Sequence, residues 1–179
     1  METLLELLRM RRSIRNFKET QISPELVEQI MHAGLMSPSS KNSTPWQFIM
    51  VDDREILKSL SECKKNGSQL IAGSALSIVV VADPERSDAW IEDASIASVL
   101  LQLEAEDLGL GSCWVHVRSR QTADGGDSEA YVRKLLQIPE NLRILDIVAI
   151  GVKDEIRKPF DDSRLQWEKV HLNQYGKTE

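Results

Sequence analysis

The chain has 179 residues, 41% of them hydrophobic, with 28 acidic against 22 basic side chains, a formal net charge of -6 and a pI near 5.2. This is enough apolar material for a single domain spanning residues 1–179, or for a subunit whose core is shared with a partner, and it excludes global disorder. An acidic chain lacks the broad basic surface that neutralises a phosphate backbone, which argues against nucleic acid as a partner.

Leu4, Leu5, Leu7 and Leu8 recur at helical spacing, so residues 2–10 are expected to form an amphipathic helix that ends at a run of arginines. That run, RRSIRNF from Arg11 to Phe17, concentrates positive charge in an acidic protein. Arginines at a helix C-terminus can simply complement the helix dipole and remain solvated. They can also form an anion site, because the guanidinium is a rigid fork of donors that matches phosphate. In an extended stretch the alternate residues Arg11, Ser13 and Arg15 would face one dianion.

Ser23 as N-cap and Pro24 at the first helical position open a second helix, with Leu26, Val27, Ile30 and Ala33 on its buried side and Gly34 near its end. The following MSPSSKNSTPW is loop chemistry, in which Ser39, Ser40 and Asn42 gather polar donors, and WQFIMV (Trp46 to Val51) is a strand. Residues 53–63 are helical in pattern, Asn66-Gly67 breaks the chain, and LSIVVVA (Leu76 to Ala82) is a buried strand.

From about Asp88 to Leu108 a long helix has a centre that is apolar or small on nearly every side, which predicts burial all round, within the domain or at a subunit interface. Its acidic pair Glu92 and Asp93 is expected on the surface, and the four tryptophans in the core or at an interface. Strands CWVHV (Cys113 to Val117) and RILDIVAI (Arg143 to Ile150) flank a charged helix, and a polar, aromatic tail closes the sequence. Four strands interleaved with about five helices define an α+β or α/β layer structure without repeats or linkers.

Cys63 and Cys113 form no CxxC, and His32, His116 and His171 are scattered, which argues against a metal site and fits two reduced thiols. LGLGS (Leu108 to Ser112) lacks the GxGxxG spacing of a dinucleotide fold. The apolar runs are too short to cross a bilayer, and Glu2 and Glu6 spoil a signal-peptide n-region. A cytoplasmic protein without membrane contact is expected.

Taken together, RRSIR-F followed about two dozen residues later by SPSS-N-PW resembles the FMN-dependent nitroreductase family, and the segments IASVLLQLEAEDLGLGSCWV and PFDDSRLQWEKVHLNQYG extend the resemblance over nearly the whole chain. The resemblance implies an α+β fold with a mixed, mainly antiparallel sheet flanked by helices. It further implies an intertwined homodimer with FMN at two interface sites, NADH or NADPH as electron donor, and a small-molecule acceptor such as a nitro compound or quinone. Hydride would pass through flavin N5 in a ping-pong cycle, with the cofactor supplying the chemistry and no side chain required as a catalyst.

By position, Arg11, Arg12, Ser13, Arg15 and Arg164 would grip the FMN phosphate and ribityl chain. Pro38, Ser39, Ser40 and Asn42 would reach the flavin of the other subunit, and Asn66 and Gln69 would meet the pyrimidine edge. Trp114, Val115 and His116 lie where the family offers backbone N–H groups toward N5. Lysines that some larger relatives carry at the places of Gln69 and Asp162 are absent, so positive charge must come from Arg15, Arg164 or elsewhere. Two alternatives are a flavin-binding protein without turnover and a specialised flavoenzyme of the same fold, such as a reductive dehalogenase.

Overall fold

A computed structural model describes residues 3–177. Its centre is a four-stranded antiparallel sheet of β1 (Trp46–Val51), β2 (Leu76–Ala82), β3 (Gly111–His116) and β4 (Arg143–Gly151), in the spatial order β1-β2-β4-β3. β2 and β4 are the central strands and, apart from Arg143, are buried along their whole length, as their continuous Val/Ile/Leu runs require.

Helices cover both faces. On one face α2 (Pro24–Leu35) and α4 (Trp90–Asp107) pack on Ile78, Val80, Leu145 and Val148. On the other, α3 (Arg54–Leu60) and α5 (Ser128–Leu136) close over Val79, Val81, Val115 and Ile147. The alternation of neighbouring strand residues between the two cores follows from the twofold period of a strand. The fold is therefore the expected α+β architecture.

Boundaries shift modestly. α1 runs Leu4–Met10 and opens with a capping box between Thr3 and Glu6, while the remainder of the expected 2–10 helix lies outside the described residues. α3 ends at Leu60 rather than 63, and β3 starts two residues before Cys113 and stops at His116, with the Val117 N–H still donating to Leu145 O at 3.1 Å. Residues 152–177 cross the surface without α-helix or strand, making only short turns at Asp162–Arg164 and Trp167–Lys169.

The structure narrows one expectation about α4, leaving only the subunit interface to cover its open side, and corrects another. Within one chain the helix is not covered all round: Ala94, Ala97, Leu101 and Ala105 are buried, whereas Ile96 and Val99 are more than 40% exposed. The even spread of small and apolar residues predicts that every side can be buried, but the sheet covers only one. Asp93 is not a surface residue: it is 3% exposed and accepts two hydrogen bonds. Trp46 is buried against Phe48, but Trp167 is 71% exposed.

Asp146 lies on β4 beneath α4, fully buried, with one oxygen accepting from Ser98 Oγ at 2.8 Å and the other without a protein partner among the described residues. Burial drives its carboxyl well above the ordinary range, opposed only by the Ser98 hydroxyl. A folded-state pKa above the unfolded value contributes stability that is complete below the unfolded pKa of about 3.9 and is lost as pH rises through the folded value. Asp146→Asn should therefore raise stability at neutral pH by about 1–3 kcal/mol and flatten the decline. Thermal unfolding from pH 4 to 8 checks this, and a variant less stable than the parent at pH 7 would contradict it.

Candidate active site

α1 stops at Arg11, whose backbone turns extended (φ -58°, ψ 116°), and the chain then crosses the end of the sheet. Ile14 N–H donates to Ser112 O at 2.9 Å, Lys18 N–H to Val152 O at 2.9 Å, and Asp154 N–H to Asn16 O at 3.0 Å. Residues 13–18 are thus laced to the start of β3 and to the segment after β4. Gly111 and Gly151, cross-strand partners in the sheet, lie directly beneath this crossing. A Cβ on Gly111 would come within 2.8 Å of Ile14, and one on Gly151 within 2.8 Å of Phe17.

Seated in this way, Arg11, Arg12, Ser13 and Arg15 line a cleft of about 340 Å³ together with Arg157, Leu8 and Phe160. Among the described residues Arg11, Arg12 and Arg15 form no ion pair with a carboxylate. Glu155, whose part was not apparent from sequence, holds the Arg157 that lines this cleft. Its Oε1 accepts from Arg15 N–H at 2.5 Å and Asn16 N–H at 3.2 Å, and its Oε2 holds the Arg157 guanidinium at 2.6 Å. The backbone bond from Arg15 is the main cause that keeps the Glu155 carboxyl below its usual range.

Arg15 also lines a second, adjoining cleft of about 640 Å³ with Asn16, Phe17, Gln69, Leu70, Gly73 and Asp154. Gln69 occupies this wall with its Oε1 accepting from Gly67 N–H at 2.9 Å, whereas Asn66 is exposed and does not line it. Cys113 lies beneath the junction. Burial raises its thiol pKa, while Arg15, the Ser13 hydroxyl, Lys64 and Arg11 pull it back. Lys64 therefore supplies charge here that the motif comparison did not locate, and both cysteines are free and buried.

The side chains of Trp114 and His116 do not enter either cleft. They stack on each other at 6.4 Å on the α4 face of the sheet, while the Val115 side chain is in the opposite core. Burial, with Arg120, Lys64 and Arg118 nearby, lowers the His116 pKa and leaves the imidazole neutral at pH 7. β3 is an edge strand, and its odd-numbered residues face β4. The N–H groups of Trp114 and His116 therefore turn outward along the free edge as backbone donors.

Two groups of candidates are kept apart from the arginine cleft. Arg164 is exposed in its turn and lines neither cleft; Arg157 stands there from the same C-terminal segment, while Asp162 pairs with Arg9 at 2.6 Å. Pro38, Ser39, Ser40 and Asn42 precede β1, at the opposite edge of the sheet from β3, three strand spacings or roughly 14 Å away. They also lie at the strand end away from Gly111, since Trp46 pairs with Ala82 and Ala82 with Arg143. One chain does not bring this loop to the arginines.

The antiparallel core with helices on both faces is a fold shared with proteins of one family. The Nitroreductase family model matches residues 8–69 and 63–152, and the chain belongs to this family. A solved structure, an FMN-dependent nitroreductase from Clostridium difficile R20291, is 43% identical with a TM-score of 0.94, covering 96% of this chain and 100% of that one. An Archaeoglobus fulgidus protein named "Putative NADH dehydrogenase/NAD(P)H nitroreductase" is 38% identical, over 98% of this chain and 100% of that protein. The NADPH-flavin oxidoreductase of Vibrio harveyi is 28% identical over 98% of this chain and 75% of its own length.

The close approach at Gly111 generates a direct test. Gly111→Ala puts a methyl group against Ile14, whose branched carbons and buried position leave little room to yield, so a loss of about 1–3 kcal/mol in stability is expected. Weaker retention of any anion in the arginine cleft should accompany it. Chemical denaturation and anion titration read the two effects, and an unchanged variant would show that the crossing is not held at this point.

Proposed function

We propose that the protein is an FMN-dependent oxidoreductase, one domain per chain, which takes electrons from NADH or NADPH and delivers them to nitro, quinone or similar small acceptors. The observation that carries this reading is the set of guanidinium groups of Arg11, Arg12 and Arg15, without ion pairs among the described residues and gathered with Ser13 in one cleft of a chain with net charge -6. Such a donor set matches a phosphate dianion, and the adjoining cleft has the amide of Gln69 at one side and Phe17 and Leu70 for a flat ring. The donor chemistry of the chain thus fits FMN.

When bound, FMN would supply the hydride-transfer chemistry between NAD(P)H and the acceptor. The chain's own part is binding and electrostatics. Arg11, Ser13 and Arg15, with Arg157 oriented by Glu155, hold the phosphate and ribityl chain. Gln69 addresses the pyrimidine edge, with Asn66 at the adjacent turn. The outward N–H groups of Trp114 and His116, flanking Val115, offer donors along the β3 edge where negative charge develops. His116, neutral and turned to the other sheet face, acts through its backbone.

The same reading includes a homodimer. Leu4, Leu5 and Leu8 on α1 and Ile96 and Val99 on α4 leave apolar surface open on two helices that pack together, of a kind that marks an interface. The separation of residues 38–42 from the arginine cleft within one chain supports a reading in which the loop of one subunit completes the site of the other. Arg164 is assigned to the same completed site, and a cytoplasmic location accompanies this reading; no helix among the described residues is long and apolar enough to cross a membrane.

Purified protein should be yellow and release FMN on heating, and NAD(P)H oxidation should follow an acceptor. Arg11→Ala with Arg15→Ala should weaken FMN binding at least about a hundredfold while the dimer stays folded. Full occupancy in that variant would reduce the arginines to a solvated helix end. Hybrid dimers pairing the Arg11→Ala/Arg15→Ala chain with an Asn42→Ala chain should retain one intact site per two chains. A hybrid that holds flavin no more tightly than the Asn42→Ala homodimer would overturn assembly of the site from two subunits.

A further inference from the structure

We infer that Asp93, on α4, is the positioning residue that fixes the 39–44 loop in the conformation in which it meets FMN, an inference that rests on the flavin reading of residues 38–42. Asp93 Oδ1 accepts from Ser40 N–H at 2.7 Å, and Oδ2 accepts from Ser87 Oγ at 2.7 Å. Ser87 Oγ in turn accepts from Ala89 N–H at 3.2 Å, and Asp83 N–H donates to Pro45 O at 3.0 Å. One carboxylate therefore ties the loop before β1 to the loop before α4.

The loop needs such a tie. Lys41, Asn42 and Thr44 have φ of 53°, 53° and 43°, the left-handed region that L-residues avoid and that a β-branched threonine avoids most. Within the loop, Thr44 N–H donates to Ser39 Oγ at 2.8 Å and Asn42 N–H to Ser39 O at 3.1 Å. These local bonds close the turn on itself, and among the described residues the hydrogen bonds that anchor it to the rest of the fold are Ser40–Asp93 and, at the adjoining Pro45, Asp83–Pro45. A strained conformation that the surroundings enforce is the form preorganisation takes at a binding site.

Asp93 is suited to the role without a counter-ion. It lies in the first turns of α4, where the unsatisfied N–H groups and the helix dipole favour negative charge, and no cation pairs with it among the described residues. Hydrogen bonds to an ionised acceptor are about twice as strong as neutral ones, so the two short contacts replace the missing ion pair. The rest of α4 is anchored on the sheet through Ala94, Ala97 and Leu101, which makes it a rigid post for the clamp.

FMN titration of the full-length dimer tests the assignment in Asp93→Ala, Asn42→Ala and the double variant. Each single change is expected to weaken binding about tenfold. The double variant should be no weaker than the weaker single one, because Asn42 is already lost once the loop is released. Asp93→Ala combined with Arg15→Ala should instead multiply, since the phosphate end does not depend on the loop. Losses that multiply between Asp93 and Asn42, or wild-type binding by Asp93→Ala, would overturn the positioning role and leave the flavin reading intact. Wild-type binding by Asn42→Ala would instead overturn the reading of the loop itself. Should Asp93→Ala not fold, Ser87→Ala, which removes one of the two partners, carries the same comparison with an expected loss of about threefold.

Discussion

Everything at the candidate site depends on how closely residues 13–18 can lie against the end of the sheet. Two glycines paired across β3 and β4, Gly111 and Gly151, leave room for Ile14 and Phe17 to sit on bare backbone, and three main-chain hydrogen bonds then hold the crossing. Because the segment is extended, its alternate side chains Arg11, Ser13 and Arg15 emerge together, while Ile14 is buried. A backbone held at several points by strands of the core loses little further entropy when it binds an anion.

Charge follows from this geometry. The chain has an acidic surplus, yet the cleft draws guanidinium groups from residues 11–15 and from 157, and Glu155 close to them is occupied with two backbone N–H groups and Arg157. The local field is therefore positive although the global charge is negative. At the neighbouring Cys113 burial raises the thiol pKa, and the arginines and Lys64 oppose that rise. Steering of an anionic cofactor needs only this local field.

The sheet order separates the two motifs that look adjacent in sequence. About two dozen residues lie between the arginine run and the serine-rich loop, but the first crosses the β3 edge and the second precedes β1 at the far edge. The open apolar faces of α1 and α4 fit the proposed dimer, in which a second copy would supply what one chain keeps apart. The inference about Asp93 adds that the loop is shaped inside its own chain before it is presented.

Local pattern determined much by itself. The strand-like runs defined β1 and β2 at their observed limits, and Pro24 opened α2 at the expected residue. What only the tertiary structure decided are partners distant along the chain. Glu155 reaches back 140 residues to Arg15, and Asp93 reaches 53 residues to Ser40, while Trp114 and His116 prove to serve another face of the sheet than the arginines. The physical reason is that periodicity reports which side of an element is apolar, whereas the worth of a single charged residue is set by what packs against it. An aspartate beside a glutamate reads as solvent-facing until a neighbouring loop buries it.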